Sequence, residues 1–135
     1  VLFLGIVDTE EMKIRYINAS MSDPIVLSRA PDGYRIKELT SNASVVGIID
    51  MDDVKVNEMR LFRGDTILLA TDGVSEVMDD NGVELGDTEE YIQTLKSSAA
   101  KQPQQFVDDI VDLIMRYNGD KRLHDDVTMM VAKVG

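Results

Sequence analysis

The sequence contains no cysteine, no tryptophan and a single histidine, His124. Without cysteine the chain can form no disulfide, no thiolate metal site and no cysteine nucleophile. One histidine rules out zinc sites built from several imidazoles, and its place before a predicted strand is typical of an ordinary polar residue. The lack of disulfides agrees with a reducing compartment, so we expect a cytoplasmic protein.

Basic residues are scarce: 14 Lys and Arg stand against 25 Asp and Glu, which gives a formal net charge of −11. An acidic surface repels phosphate backbones and anionic membranes, so neither nucleic acid nor membrane is an expected partner. No apolar run approaches the roughly 20 residues of a membrane span. The length of 135 residues predicts one domain over 1–135, and the start at Val1 rather than Met suggests a part of a longer protein.

The first half of the chain has the pattern of β-structure. Apolar residues 2–7 and the alternating residues 13–18 predict two strands joined by a turn. The stretches 24–29 and 34–39 flank "APDG", a typical hairpin turn. Polar and apolar residues alternate again over 55–62, which predicts another strand. The following "RGD" predicts a tight turn rather than an adhesion motif. Residues 66–71 are more continuously apolar and predict the next strand.

The second half predicts two helices followed by a strand. Asp87 and Glu90 are spaced as a capping box before a helix, and Pro103 suits the first turn of a second helix. Residues 126–134 read as a closing apolar strand. Strands, then helices, then one strand predict an α+β layered domain with mostly antiparallel sheets.

Aspartates occur at the ends of two apolar strands. Asp72 follows the strand 66–71, and Asp125 and Asp126 precede the last strand. If the two strands are antiparallel neighbours, these carboxylates converge at one rim of the sheet, where a cation would relieve their repulsion. Hard carboxylate oxygens favour Mg²⁺ or Mn²⁺. The spacing alone leaves open the alternative that these are turn and cap aspartates.

Two other acidic clusters are not predicted to be cation sites. Aligning Gly82 with the invariant glycine of an EF-hand loop places Val77 and Thr88 at the first and last ligand positions, so the motif fails. Residues 50–54, "DMDDV", are predicted to be a solvated loop.

Several segments, in order, resemble the metal-dependent PPM protein phosphatases of the SpoIIE/RsbU-like bacterial branch. They are "FLGIVDTEEMKIRYINAS", "RLFRGDTILLATDG", "LLATDGVSEVMDDNGVELG" and "HDDVTMMVAKV". The resemblance implies the C-terminal portion of a four-layer αββα sandwich, in which the chain is a partial phosphatase domain without the family's N-terminal "D-x-GHG"-like motif. It also implies metal-dependent hydrolysis of phosphoserine or phosphothreonine on a phosphorylated regulatory protein of the anti-anti-sigma type.

The same resemblance implies roles for individual residues. Asp72, Asp125 and Asp126 would be ligands at a centre of two Mn²⁺ or Mg²⁺ ions, with Gly73 permitting a sharp turn and Thr128 supporting it. Two segments depart from the family pattern: "NAGH" is "NASM", with Met21 for histidine, and "PLG" is "VVG" at 45–47. These departures keep a second hypothesis open, a degenerate phosphatase-like regulatory or binding module. A homodimer is a further expectation.

Overall fold

The computed structural model describes residues 1–43 and 55–135. They form seven strands and three α-helices. The strands are β1 (Leu2–Asp8), β2 (Lys13–Ala19), β3 (Ile25–Ala30), β4 (Gly33–Glu38), β5 (Asn57–Arg60), β6 (Thr66–Ala70) and β7 (Met129–Lys133). The helices are α1 (Asp72–Ser75), α2 (Glu89–Ser98) and α3 (Pro103–Asn118), with a 3₁₀ turn at Leu85–Asp87 before α2.

The strands form two antiparallel sheets. One has the order β1-β2-β5 and the other the order β4-β3-β6-β7. The β6 and β7 strands are direct neighbours, and their register pairs Thr66 with Lys133 and Ala70 with Met129. The C-terminal end of β6 therefore lies beside the N-terminal end of β7, which confirms the arrangement predicted from the sequence.

The four-stranded sheet lies between the helices and the other sheet because successive residues of a strand point to opposite faces. Leu27 and Leu68 pack against the helical layer, whereas their neighbours Val26 and Ile67 pack against the three-stranded sheet. The helices contribute their predicted apolar faces to the first cluster, mainly Tyr91, Leu95, Ala99, Phe106, Ile110, Leu113 and Ile114. The result is a helix–sheet–sheet stack, which confirms an α+β fold and accounts for three layers of a four-layer sandwich.

The outer face of the three-stranded sheet is apolar and exposed. Leu2, Leu4 and Ile6 of β1 are 48%, 55% and 60% accessible. The β1 strand is also an edge of its sheet, and no helix in the described ranges covers this face. None of the helices described has the length and apolar character that a membrane span requires.

One helix start differs from the sequence prediction. The N-cap of α2 is Thr88, whose hydroxyl accepts a hydrogen bond from the Tyr91 amide at 3.2 Å, so the Asp87–Glu90 capping box is wrong by one residue. Asp87 instead belongs to the 3₁₀ turn that precedes the helix. Two further predictions, the loop at 50–54 and the "VVG" segment at 45–47, lie outside the described residues.

Candidate metal-binding rim

Asp72 stands at the junction between β6 and α1. The preceding Thr71 has an extended backbone and is the N-cap of α1, and the Asp72 carbonyl accepts a hydrogen bond from the Glu76 amide at 2.9 Å. The Asp72 carboxylate is exposed beside the first turn of this short helix. Asp72 is thus the first residue of the helix, two positions after the last residue of β6, and the cap position belongs to Thr71.

Thr71 joins the Asp72 segment to the segment that carries Asp125 and Asp126. Its amide donates to the Thr128 carbonyl at 3.0 Å, and its hydroxyl accepts from the Thr128 amide at 3.1 Å. The hydroxyl can donate to the Asp126 carbonyl, 3.2 Å away, or to the Thr128 carbonyl, 3.4 Å away. Thr128 thus takes part through its backbone, and Thr71 is a residue that the sequence pattern did not single out.

Gly73 is glycine because another backbone passes directly over it. A Cβ at this position would lie 2.1 Å from the Asp126 carbonyl oxygen and 3.5 Å from that of Asp125. Its backbone has no left-handed φ, so the sharp turn expected from the sequence is not the reason for glycine. The close approach instead fixes the Asp125–Asp126 backbone against the start of α1.

The three carboxylates at this rim are accessible to a ligand. Asp72, Asp125 and Asp126 are all exposed, and none of them belongs to an ion pair found in the described part of the chain. One oxygen of Asp125 accepts from the Asp126 amide at 2.8 Å, which leaves its other oxygen available. Hard oxygen donors of this kind suit Mg²⁺ or Mn²⁺.

The rim by itself is not a closed cation site. Across residues 1–43 and 55–135, no three His, Cys, Asp or Glu side chains lie close enough together to hold a metal. The donor type therefore fits a hard divalent cation, while a full ligand set needs water, substrate oxygens or further protein groups. Mg²⁺ sites commonly combine one or two carboxylates with water and phosphate oxygens.

A pocket of about 240 Å³ lies beside the rim. Its lining includes Gly73, Glu76, His124 and Asp125, together with the buried Asn118. The pocket therefore has Gly73 and Asp125 in common with the rim. A group bound at the carboxylates would have room for attached atoms here.

Two other motifs have purely structural roles. In the "DDNG" segment, the Asp79 carboxylate accepts from the amides of Asn81 and Val83, and Gly82 adopts a φ of 78°, so the segment is a tight turn. In "RGD", Asp65 is 1% exposed and accepts from the Phe62 amide at 2.9 Å. A buried aspartate cannot serve an adhesion motif.

Comparison with known families identifies the fold. The model of the family "Stage II sporulation protein E (SpoIIE)" matches residues 1–135, the whole chain. The chain belongs to the SpoIIE family. Among curated proteins, the phosphoserine phosphatase RsbU of Bacillus subtilis is 34% identical over 97 residues, which are 71% of this chain and 28% of RsbU.

Solved structures of a PP2C domain and of a SpoIIE phosphatase domain have the same fold. The SiaA-PP2C domain of Pseudomonas aeruginosa matches 98% of this chain with a TM-score of 0.78 at 20% identity. The phosphatase domain of SpoIIE from Bacillus subtilis, from Mn-presoaked material, matches 98% with a TM-score of 0.64 at 19% identity. The chain spans 51% of the first structure and 56% of the second, about half of each.

The SpoIIE-family "NAGH" loop is "NASM" here, and its first residue is a buried anchor. The side-chain amide of Asn18 donates to the carbonyls of Met21 and Leu39 and to Asp23, and its oxygen accepts from the Met21 amide. The next residue but one, Ser20, stands where the family pattern has glycine and adopts a left-handed φ of 61°. Ser20 thus has the left-handed backbone conformation that favours glycine, although it carries a side chain.

Replacing Ser20 with glycine is expected to stabilise the protein by about 0.5–1 kcal/mol. The left-handed conformation costs a non-glycine residue about 1–2 kcal/mol, and the greater flexibility of glycine in the unfolded chain offsets part of the gain. Among the described residues the Ser20 side chain has no hydrogen-bond partner, since only its amide is engaged, with the Ser41 hydroxyl. Denaturant unfolding measures the change, and Ser20→Ala, which keeps the strain, is the control. Equal stabilities for the two variants would contradict this explanation.

Proposed function

We propose that the protein containing this chain hydrolyses phosphoserine or phosphothreonine esters with the help of Mn²⁺ or Mg²⁺. The observation that supports the proposal is the pairing of Thr71 with Thr128, which brings the backbone segment of Asp72 beside the segment of Asp125 and Asp126. All three carboxylates are exposed, and none of them takes part in an ion pair of the described structure.

In this proposal, Asp72 and Asp125 are metal ligands, and Asp126 is an adjacent ligand or an acceptor for metal-bound water. When bound, the cation supplies a water of lowered pKa and neutralises phosphate charge. Thr71 holds the two aspartate segments together, and Gly73 lets the Asp126 backbone approach α1. The incomplete ligand set in the described part of the rim agrees with a second metal and further ligands supplied by other parts of the domain.

The relatives suggest the kind of substrate. RsbU is a phosphoserine phosphatase, so the partner proposed for this protein is a phosphorylated regulatory protein of the anti-anti-sigma type. Such a partner implies a cytoplasmic location and no role for nucleic acid. The exposed apolar face and free edge of β1 support a homodimer or the docking of a further layer of the domain.

A non-catalytic phosphatase-like module is the second candidate. Met21 at the place of the family histidine supports it, because a thioether cannot replace an imidazole as a base or as a ligand for a hard cation.

The two candidates differ in one assay on the full-length protein. With Mn²⁺ present, the protein should release inorganic phosphate from a phosphoserine peptide. EDTA should stop the release, and an excess of Mn²⁺ should restore it. Peptide binding without release under all three conditions would favour the non-catalytic module. Release that EDTA leaves unchanged would contradict a metal-dependent mechanism.

A further inference from the structure

A second pocket, of about 300 Å³, lies at the hairpin end of the four-stranded sheet. Its polar and aromatic lining consists of Ser28 and Arg29 of β3, Arg35 and Lys37 of β4, and Phe62 in the loop before β6. Arg35 and Lys37 are two cations on the same face of the hairpin as Ser28, whereas Arg29 lies on the opposite face. In a protein with a net charge of −11, this is a local concentration of positive charge.

The cations of this basic pocket have no carboxylate partners in the described structure. None of Arg29, Arg35 and Lys37 belongs to an ion pair found among residues 1–43 and 55–135. Lys37 instead lies 5.4 Å from the centre of the half-exposed Phe62 ring, and Arg60 lies 5.1 Å from the same ring. Cation–π contacts with this ring hold the two charges near the pocket without neutralising them.

The pocket also contains a buried hydroxyl without a partner. Ser28 is 7% exposed, and in the described part of the chain its Oγ is the one buried side-chain polar atom that lacks a hydrogen bond. It is cross-strand partner to Arg35, so both side chains project from the same face of the hairpin. Burying a hydroxyl without a partner destabilises a protein, and a ligand oxygen would remove that penalty.

The basic pocket is remote from the aspartate rim. The register pairs Ile25 with Leu68 and Leu27 with Thr66, so Ser28 lies level with Asp65. Asp65 precedes Asp72 by seven residues, which at about 3.3 Å per residue places the pocket about 20 Å from the rim along the sheet. A ligand in this pocket cannot touch the candidate metal site.

We infer that this pocket binds a phosphoryl group. A carboxylate is a monoanion whose two oxygens one guanidinium can satisfy, whereas the two cations Arg35 and Lys37 with a hydroxyl donor on the same face match a dianion with three or more acceptor oxygens. The ligand is either free inorganic phosphate or the phosphorylated side chain of a peptide, since both present the same group. The inference does not depend on the proposed hydrolysis, because it concerns other residues at the other end of the sheet.

Calorimetric titration of inorganic phosphate into the full-length protein in EDTA tests this inference, because EDTA removes phosphate binding that depends on a metal. Saturable binding is expected, and Arg35→Gln should weaken it by about tenfold or more through loss of a charge-assisted hydrogen bond. Arg15→Gln is the matched control: Arg15 is exposed on β2, outside the pocket, and the substitution removes the same charge. It should change binding by less than about twofold because salt screens distant charges.

Ser28→Ala provides a second test, in which phosphate binding and thermal stability should change in opposite directions. The variant should bind phosphate several-fold more weakly, yet unfold at the same temperature as the unmodified protein or higher, because it no longer buries an unpaired hydroxyl. Competition by a phosphoserine peptide in EDTA would identify a phosphorylated side chain as the ligand, and lack of competition would identify free phosphate. No saturable phosphate binding, or equal binding by Arg35→Gln and Arg15→Gln, would overturn the inference.

Discussion

Asp72→Asn in the full-length protein is expected to lower Mn²⁺-dependent release of phosphate from a phosphoserine peptide by at least about 100-fold. The substitution keeps the size of the side chain and removes one charged oxygen donor. The carboxylate makes no hydrogen bond or ion pair in the described structure, so the free energy of unfolding should change by less than about 0.5 kcal/mol. Steady-state kinetics across a Mn²⁺ series, together with denaturant unfolding, measures both quantities.

Asp112→Asn is the matched control for this experiment. Asp112 is exposed on α3 and makes no side-chain hydrogen bond or ion pair among the described residues. Asp112→Asn therefore changes the net charge by the same amount as Asp72→Asn, but outside the rim. It should retain activity at the unmodified level. If Asp72→Asn also retained activity, Asp72 would be an ordinary helix-start residue and the metal proposal would fail.

Gly73→Ala is expected to reduce both stability and activity. The added Cβ would lie 2.1 Å from the Asp126 carbonyl oxygen, and because that atom belongs to the backbone, the Asp125–Asp126 segment must move. Overpacking of this kind costs about 1–3 kcal/mol, and displacing a catalytic group by about 1 Å can cost about 100-fold in rate. Thermal unfolding and the peptide assay together should therefore show a destabilised protein with little activity.

Gly82→Ala separates the effect of a close approach from that of backbone strain. Gly82 has a left-handed φ of 78°, and no described heavy atom lies within 4 Å of the place that an alanine Cβ would take. Alanine should therefore cost about 1–2 kcal/mol without a clash. Because the turn at 79–82 contributes nothing to the rim, activity should be retained once the variant is folded. Equal losses of activity in the two glycine variants would show that general destabilisation, not the Asp126 contact, is responsible.

The main features of the rim could be predicted from the sequence because they depend on strand patterns. The apolar stretches ending at Thr71 and starting after Asp126 predict two strands, and the structure pairs these strands as antiparallel neighbours, which brings their aspartate-bearing ends to the same end of the sheet. The amphipathic patterns of α2 and α3 likewise predict the helical layer, since periodicity of apolar residues is a local property of the chain.

The details that the sequence did not reveal depend on contacts between distant residues. The roles of Thr71 and Gly73 come from the Asp126 backbone, more than 50 positions away in the sequence. The start of α2 was misplaced because Asp and Thr are both good N-caps, and only the 3₁₀ turn decides between Asp87 and Thr88. The left-handed backbone of Ser20 similarly reflects the Asn18 hydrogen bonds around it.

The pairing of Thr71 with Thr128 has a consequence for the newly synthesised protein, because it closes a loop of 57 residues. At about 5–20 residues per second, translation takes about 3–11 s to pass from one of these residues to the other. During this interval Asp72 has left the decoding centre while Asp125 and Asp126 do not yet exist. A nascent chain that has not yet made β7 therefore has no rim, so translation order itself keeps an unfinished chain from assembling the candidate site.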